Sequence, residues 1–139
     1  MKVEQPDEKT LKITDQFATN QNTLYTWLTE PYKMTLWLAD HVESTPTGFQ
    51  LELRLPLHHI KNRATIITED PPDCFEFVWN SEYVMNPSLV SYNLVSSGSS
   101  VTLEVTETGD FDQSRWSDPQ GIHIDLWKNS LQRLHHRVD

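Results

Sequence analysis

The stretch GIHIDLWKNSLQRLHHRV, residues 121–138, decides the fold. Its apolar residues recur at every third or fourth position, and these are Ile124, Trp127, Leu131, Leu134 and Val138. This spacing places them on one face of an α-helix, and Asp118-Pro119 is a typical start signal for a helix. We therefore predict a helix over 119–137, roughly 28 Å long at ~1.5 Å per residue. Such a helix needs a broad apolar surface to pack against.

The residues before this helix alternate between apolar and polar side chains, which indicates strands. The alternating stretches are 10–17, FQLELRL at 49–55, ATIITED at 64–70, CFEFVWN at 74–80, LVSYNLV at 89–95 and VTLEVTE at 101–107. Strands with one apolar and one polar face are typical of an antiparallel sheet that is wetted on one side. The long helix would cover the apolar side.

The stretch LYTWLTEPYKMTLWLAD, residues 24–40, predicts two short helices separated at Pro31. They would close the end of the curled sheet that the long helix leaves open. The predicted fold class is α+β: a curved antiparallel sheet of about six to seven strands wrapped around the C-terminal helix, with the two short helices after strand one. We expect 10–139 to form a single domain and 1–9 to be a flexible N-terminus.

Composition limits the possible partners. The chain has 139 residues and a formal net charge of −9, which argues against nucleic acid and against an anionic membrane surface. Its single cysteine, Cys74, allows no intrachain disulfide and no zinc motif with several cysteines. The polar first ten residues have no signal-peptide pattern. We expect a cytoplasmic protein without a cofactor.

Four segments together resemble one family. They are FATNQNTLYTWLTEP at 17–31, followed by Trp37, EDPPDCFEFVW at 69–79, SSVTLEVTETG at 99–109, and WKNSLQRL at 127–134. Their order and spacing are similar to those of the C-terminal domain family of the activator of heat-shock protein 90 ATPase, within the START-related helix-grip (SRPBCC) superfamily. This chain has only Gly48 where the family often has Gly-Gly. The resemblance implies the helix-grip fold, and it leaves chaperone activation as an alternative function.

The inner face of the predicted sheet provides the candidate binding residues. We expect them to point between the sheet and the long helix, and they are Leu53, Phe75, Phe77, Trp79, Tyr92, Leu103, Trp127 and Leu131. They form either an ordinary filled core or an apolar cavity for a small hydrophobic or amphipathic molecule, with the Tyr92 hydroxyl as an anchor. Ligand binding is the first predicted function. A protein-interaction module acting on a chaperone through the acidic outer face is the alternative, and a cyclase or hydrolase is third. Whether 81–88 forms a lid is left open.

No catalytic or metal-binding set is predicted from the titratable residues. His58 and His59 are adjacent on a strand and point to opposite faces, so they would not share a metal. His123 is interpreted as part of an exposed pair with Asp118, rather than as an acid–base group. Glu107 is either an inward carboxylate with a raised pKa or a solvated residue at a strand end, and the solvated interpretation is favoured.

Overall fold

A computed structural model describes residues 1–55, 58–81, 87–110 and 119–139, with the side chains at 54–55, 58–60, 81 and 119–120 excepted. The strands are β1 (Lys2–Asp7), β2 (Thr10–Phe17), β3 (His41–Thr45), β4 (Gly48–Leu55), β5 (His58–Asp70), β6 (Cys74–Ser81), β7 (Ser88–Ser97) and β8 (Ser100–Thr108). The helices are α1 (Gln21–Thr29), α2 (Pro31–Met34) and α3 (Pro119–Val138).

The eight strands form one antiparallel sheet in the order β1-β2-β8-β7-β6-β5-β4-β3. The strands β3 to β8 follow chain order, while β2 pairs with the distant β8 along its whole length. This long-range pairing places an early strand of the chain beside its last strand. β1 and β3 are left as the two edges.

The sheet has more strands than the six to seven predicted. The additional strands are the edges β1 and β3, whose sequences KVEQPD and HVEST have no regular apolar alternation. β1 falls within the stretch that was expected to be flexible, yet Lys2 and Val3 lie opposite Thr14 and Ile13 of β2. Most side chains of β1 are exposed, so main-chain hydrogen bonds to β2, and not burial of side chains, hold this strand in the sheet. Edge strands of this kind lack the alternating hydropathy pattern by which strands are predicted from sequence.

The long helix α3 lies on the inner face of the sheet, as predicted. Trp127, Leu131 and Leu134 are fully buried in the shared core, and Ile124 and Val138 pack at its margin. The inner faces of the central strands supply the rest of that core. The helix and the concave side of the sheet therefore form one apolar layer.

The two short helices lie at the end of the sheet where β6 begins. The Asn20 side chain accepts a hydrogen bond from the Thr23 N–H at 2.8 Å and so caps α1. The Tyr25 hydroxyl donates to the Cys74 carbonyl at 3.1 Å. After α2, the Trp37 carbonyl accepts from Arg133 Nε of α3 at 3.0 Å. These contacts attach the short helices to both the sheet and the long helix.

The single glycine before Phe49 has a steric reason. A Cβ at Gly48 would lie 2.2 Å from the carbonyl oxygen of Ala64 on β5. β4 and β5 therefore approach too closely at this point for any side chain. One glycine is sufficient for this close approach.

Candidate functional site

A buried carboxylate stands out in the apolar layer between the sheet and α3. Glu107 of β8 is 0% exposed, and each of its oxygens has two hydrogen-bonding partners. Oε1 accepts from Trp127 Nε1 at 3.0 Å and pairs with His123 Nδ1 at 2.8 Å. Oε2 accepts from Trp79 Nε1 at 2.8 Å and from Ser88 Oγ at 2.6 Å. We call these five side chains the Glu107 cluster.

The cluster is assembled from four elements at one end of the sheet. Trp79 of β6 lies directly opposite Ser88 of β7, and Glu107 stands near the end of the neighbouring strand β8. His123 and Trp127 are four residues apart on α3, so both reach the sheet from one helical face. This end, which we call the Glu107 end, is the one where β6 ends. The short helices lie at the other end, where β6 begins.

Mutual attraction keeps the two ionisable members of the cluster charged. Burial alone would raise the pKa of Glu107, but the positive charge of His123 and the hydrogen bonds from His123, Ser88 and Trp127 outweigh it and lower the pKa to about 2. Burial would lower the pKa of His123, but the Glu107 carboxylate raises it above its ordinary 6.5. The cluster therefore holds a buried ion pair with no net charge.

This ion pair predicts a pH optimum for stability. The lowered Glu107 pKa stabilises the fold above pH 4.5, and that contribution is lost as the pH falls through about 2. The raised His123 pKa stabilises the fold below pH 6.5, and that contribution is lost as the pH rises through the raised value. We expect the free energy of unfolding, from urea denaturation, to be highest between pH 4.5 and 6.5.

Variants show which histidine causes the fall in the free energy of unfolding at alkaline pH. His123→Asn should make the decline shallower, whereas His41→Asn, at an exposed histidine, should not change it. A residual decline should remain in His123→Asn, because the pKa of His135 is also raised by the hydrogen bonds that its ring donates to the Asp15 and Asp139 carboxylates, which outweigh its burial. An unchanged alkaline slope in His123→Asn would contradict the charged pair.

Beside the cluster lies a buried hydroxyl that makes no hydrogen bond within the described part of the chain. It belongs to Tyr92 of β7, which is 0% exposed. Burial, and then the Glu107 charge, raise the pKa of Tyr92 well above its ordinary value, so the phenol stays protonated. Its ring packs edge-on against Trp127 and Phe77, with centroids 6.1 and 5.7 Å apart. An unpartnered buried hydroxyl costs roughly 1–3 kcal/mol, so its position calls for a reason.

The structure brings all eight predicted binding residues together on the inner face. Each is at most 4% exposed, and they are Leu53, Phe75, Phe77, Trp79, Tyr92, Leu103, Trp127 and Leu131. Their aromatic rings contact one another, with the Trp79 centroid 5.6 Å from that of Trp127 and 5.3 Å from that of Phe77. That these residues contact a ligand stays a prediction.

The sequence interpretation of the ionisable residues needs three corrections. Glu107 is buried and not solvated, because the alternation of β8 turns it inward beside Val105. Its pKa is lowered, because four donors and the His123 charge surround the carboxylate. His123 is buried against Glu107 and is not an exposed helical residue, while its expected partner Asp118 lies outside the described residues. Ser88 was not identified, because a strand-end serine carries no signal in sequence.

Among the described side chains, no other histidine joins this cluster. His135 stacks on Phe17 with ring centroids 4.1 Å apart and bridges Asp15, at 2.7 Å from its Nε2, and Asp139. The side chains of His58 and His59 lie outside the described residues. In the described ranges, no group of three or more His, Cys, Asp or Glu residues is arranged to hold a metal ion. None of the helices in these ranges has the length and apolar character needed to span a membrane.

Solved structures with this arrangement come from several organisms. Protein Ms6760 from Mycobacterium smegmatis is 15% identical, with a TM-score of 0.79 over 100% of this chain and 96% of that chain. An HSP90 activator from Plasmodium falciparum is 14% identical, with a TM-score of 0.71 over 91% and 93%. DynU16, a protein in the dynemicin biosynthetic locus, is 16% identical, with a TM-score of 0.73 over 94% of this chain and 47% of that chain.

The chain has the helix-grip fold. The fold expected from the four resembling segments is therefore confirmed. At these identities, the likeness concerns the fold and not the activity. No family model and no curated protein matches the chain, and this helix-grip chain spans about half the length of DynU16. Its function must be argued from its own side chains.

Proposed function

We propose that this helix-grip protein binds a small hydrophobic or amphipathic molecule between the sheet and α3, close to the Tyr92 hydroxyl. The observation that carries the proposal is the unpartnered, fully buried Tyr92 hydroxyl beside the Glu107 cluster. A protein that only needed a filled core would satisfy this position with phenylalanine at no hydrogen-bonding cost. A bound ligand with a polar group would give the hydroxyl a partner.

The Glu107 cluster would provide a rigid polar wall for the site. Each oxygen of Glu107 already has two hydrogen-bonding partners. Neither oxygen is therefore available to accept a hydrogen bond from the ligand. The indoles of Trp79 and Trp127 are held by their N–H groups and stack on each other with ring centroids 5.6 Å apart. Burial of apolar surface at roughly 25 cal/mol per Å² would supply most of the affinity. Ligand sites commonly combine such apolar walls with a few oriented polar groups.

Two measurements test this function. Native mass spectrometry of protein purified from its expression host is expected to show a retained small molecule. Titration with the uncharged probe N-phenyl-1-naphthylamine is expected to give saturable fluorescence, with competition by the retained molecule. Tyr92→Phe should weaken competition by a hydroxylated competitor about two- to tenfold, as expected for one lost hydrogen bond.

Tyr32→Phe is the matched control, because Tyr32 is 77% exposed on α2. It should leave the competition unchanged. The absence of both a retained molecule and saturable probe binding in the folded protein would overturn the proposal. Equal effects of Tyr92→Phe and Tyr32→Phe would remove Tyr92 from the site.

A protein-interaction module remains the second candidate, because a specific surface feature favours it. A cleft of about 340 Å³ lies on the outer face of β3 to β6, and its lining includes Glu43, Glu52, Lys61 and Arg63. A cleft with charges of both signs suits a polar partner surface. The similar fold of an HSP90 activator suggests a chaperone as a first partner to test. Salt-sensitive capture that is lost in Arg63→Glu would support this function.

The cellular setting is part of the same proposal. The only cysteine of the chain is Cys74, which is free and half-buried. Burial, followed by the charges of Glu76 and Asp70, raises the pKa of its thiol, so it is a weak nucleophile at neutral pH. A reduced, cytoplasmic location agrees with this chemistry.

A further inference from the structure

A second buried polar group lies on the inner face, one inward position nearer the Glu107 end than the Ala64–Trp79 pair. Asn62 of β5 is 5% exposed, and its Oδ1 has no hydrogen-bonding partner in the described ranges. Ala64, two residues further along β5, lies opposite Trp79. Since residues two apart share a face, Asn62 occupies the inward position next to that pair, one step closer to the end where β6 stops.

Among the described residues, the two buried charges of the Glu107 cluster balance each other. Glu107 has four hydrogen-bonding partners, and His123 is its counter-ion at 2.8 Å. Among the described residues, the cluster offers no second positive charge to a ligand carboxylate, and a buried charge without a partner costs far more than an uncharged polar group. Two buried groups without a hydrogen-bonding partner in the described part of the chain, the Asn62 amide oxygen and the Tyr92 hydroxyl, are uncharged.

We infer that the site selects uncharged ligands that carry a hydroxyl or N–H group, and that Asn62 accepts the hydrogen bond from it. This inference rests on the proposed ligand binding and specifies its chemical class. The preferred ligand is a neutral alcohol, phenol or amide on an apolar body. Carboxylates with the same apolar body, including fatty acids, are disfavoured.

Three probes with one ring system separate charge from hydrogen bonding. They are 2-naphthol, 2-naphthoate and naphthalene, with affinities measured at pH 7 by calorimetry or by quenching of tryptophan fluorescence. The wild-type protein is expected to bind 2-naphthol about tenfold more tightly than 2-naphthoate. Asn62→Leu should weaken 2-naphthol binding about two- to tenfold and leave naphthalene binding unchanged. Asn93→Leu, at an exposed asparagine on the outer face of β7, should change neither.

The outcomes separate this inference from the function on which it rests. Equal or tighter binding of 2-naphthoate by the wild-type protein would overturn the selection for uncharged ligands, while ligand binding itself would stand. Equal weakening of all three probes by Asn62→Leu would overturn the role of Asn62. Failure of all three probes and of N-phenyl-1-naphthylamine to bind would overturn the proposed function. If Asn62→Leu does not fold, Asn62→Ala and the wild-type order of affinities still decide the question.

Discussion

Replacement of Glu107 by alanine is expected to lower the free energy of unfolding by about 3–5 kcal/mol. The substitution removes the acceptor of four buried hydrogen bonds and leaves His123 as a buried group without its counter-ion. It also leaves two indole N–H groups and the Ser88 hydroxyl without this acceptor. A buried ion pair adds little stability when it is compared with an apolar replacement, but removal of one partner alone is strongly destabilising.

The matched control is a second glutamate on the same strand. Glu104 points to the outer face of β8 and forms a part-exposed ion pair with Lys12 at 3.3 Å. Glu104→Ala is expected to change stability by less than about 1 kcal/mol. Urea denaturation should be followed by circular dichroism, because Trp79 and Trp127 contact Glu107 and their fluorescence would change in the folded state.

A double-mutant cycle measures the pair itself. If Glu107 and His123 interact as the distance of 2.8 Å indicates, Glu107→Ala combined with His123→Ala should cost clearly less than the sum of the single substitutions. Additive costs would show that the two side chains act independently. A Glu107→Ala cost as small as that of Glu104→Ala would show that the carboxylate is not held in a buried ion pair.

Replacement of Trp127 by alanine is expected to cost a similar amount, about 3–5 kcal/mol, by a different mechanism. Trp127 is 0% exposed and stacks on Trp79 with ring centroids 5.6 Å apart. Its removal leaves a cavity between α3 and the sheet and takes one donor from Glu107. The loss of packing should dominate, because a single hydrogen bond contributes only about 0.5–1.5 kcal/mol.

Two further substitutions separate these contributions. Trp127→Phe keeps an aromatic ring and removes the N–H, so its cost should be well below that of Trp127→Ala. Trp27→Ala, at a half-buried tryptophan of α1 whose ring lies 4.9 Å from Lys33 Nζ, should cost about 1–2 kcal/mol, within the ordinary range for single substitutions. The midpoint of urea denaturation checks the order. A Trp127→Ala cost no larger than that of Trp27→Ala would contradict the packing of α3 onto the sheet.

Trp127 and Glu107 show what could and could not be predicted from the sequence. Trp127 was predicted to point between the sheet and the long helix because it belongs to an apolar stripe with helical spacing, and burial of apolar area does not depend on any one partner. For Glu107 the pattern left two interpretations open, an inward carboxylate and a solvated residue at a strand end. The alternation of β8 turned it inward, but the favoured interpretation was solvation, because an isolated carboxylate in an apolar layer is costly.

Some elements were missed for a related reason. β1 and β3 are stabilised by main-chain pairing at the edges of the sheet, and the polarity of their side chains carries no sign of that pairing. His123 lies on a helix that was predicted correctly, but its burial depends on which face of that helix meets β8. Asn62 was not considered at all, because an asparagine in a strand gives no indication of its depth.

By itself, the sequence determined the class of fold, the long C-terminal helix, the two short helices and the apolar identity of the inner face. These follow from hydropathy patterns that repeat along the chain, and burial of apolar area enforces them whatever the detailed contacts. Only the tertiary structure decided that Glu107, His123, Trp79, Trp127 and Ser88 share one hydrogen-bonded cluster. Hydrogen bonds are short and directional, so they depend on strand register and on the rotation of α3. Residues up to 48 positions apart in sequence, from Trp79 to Trp127, must be placed together.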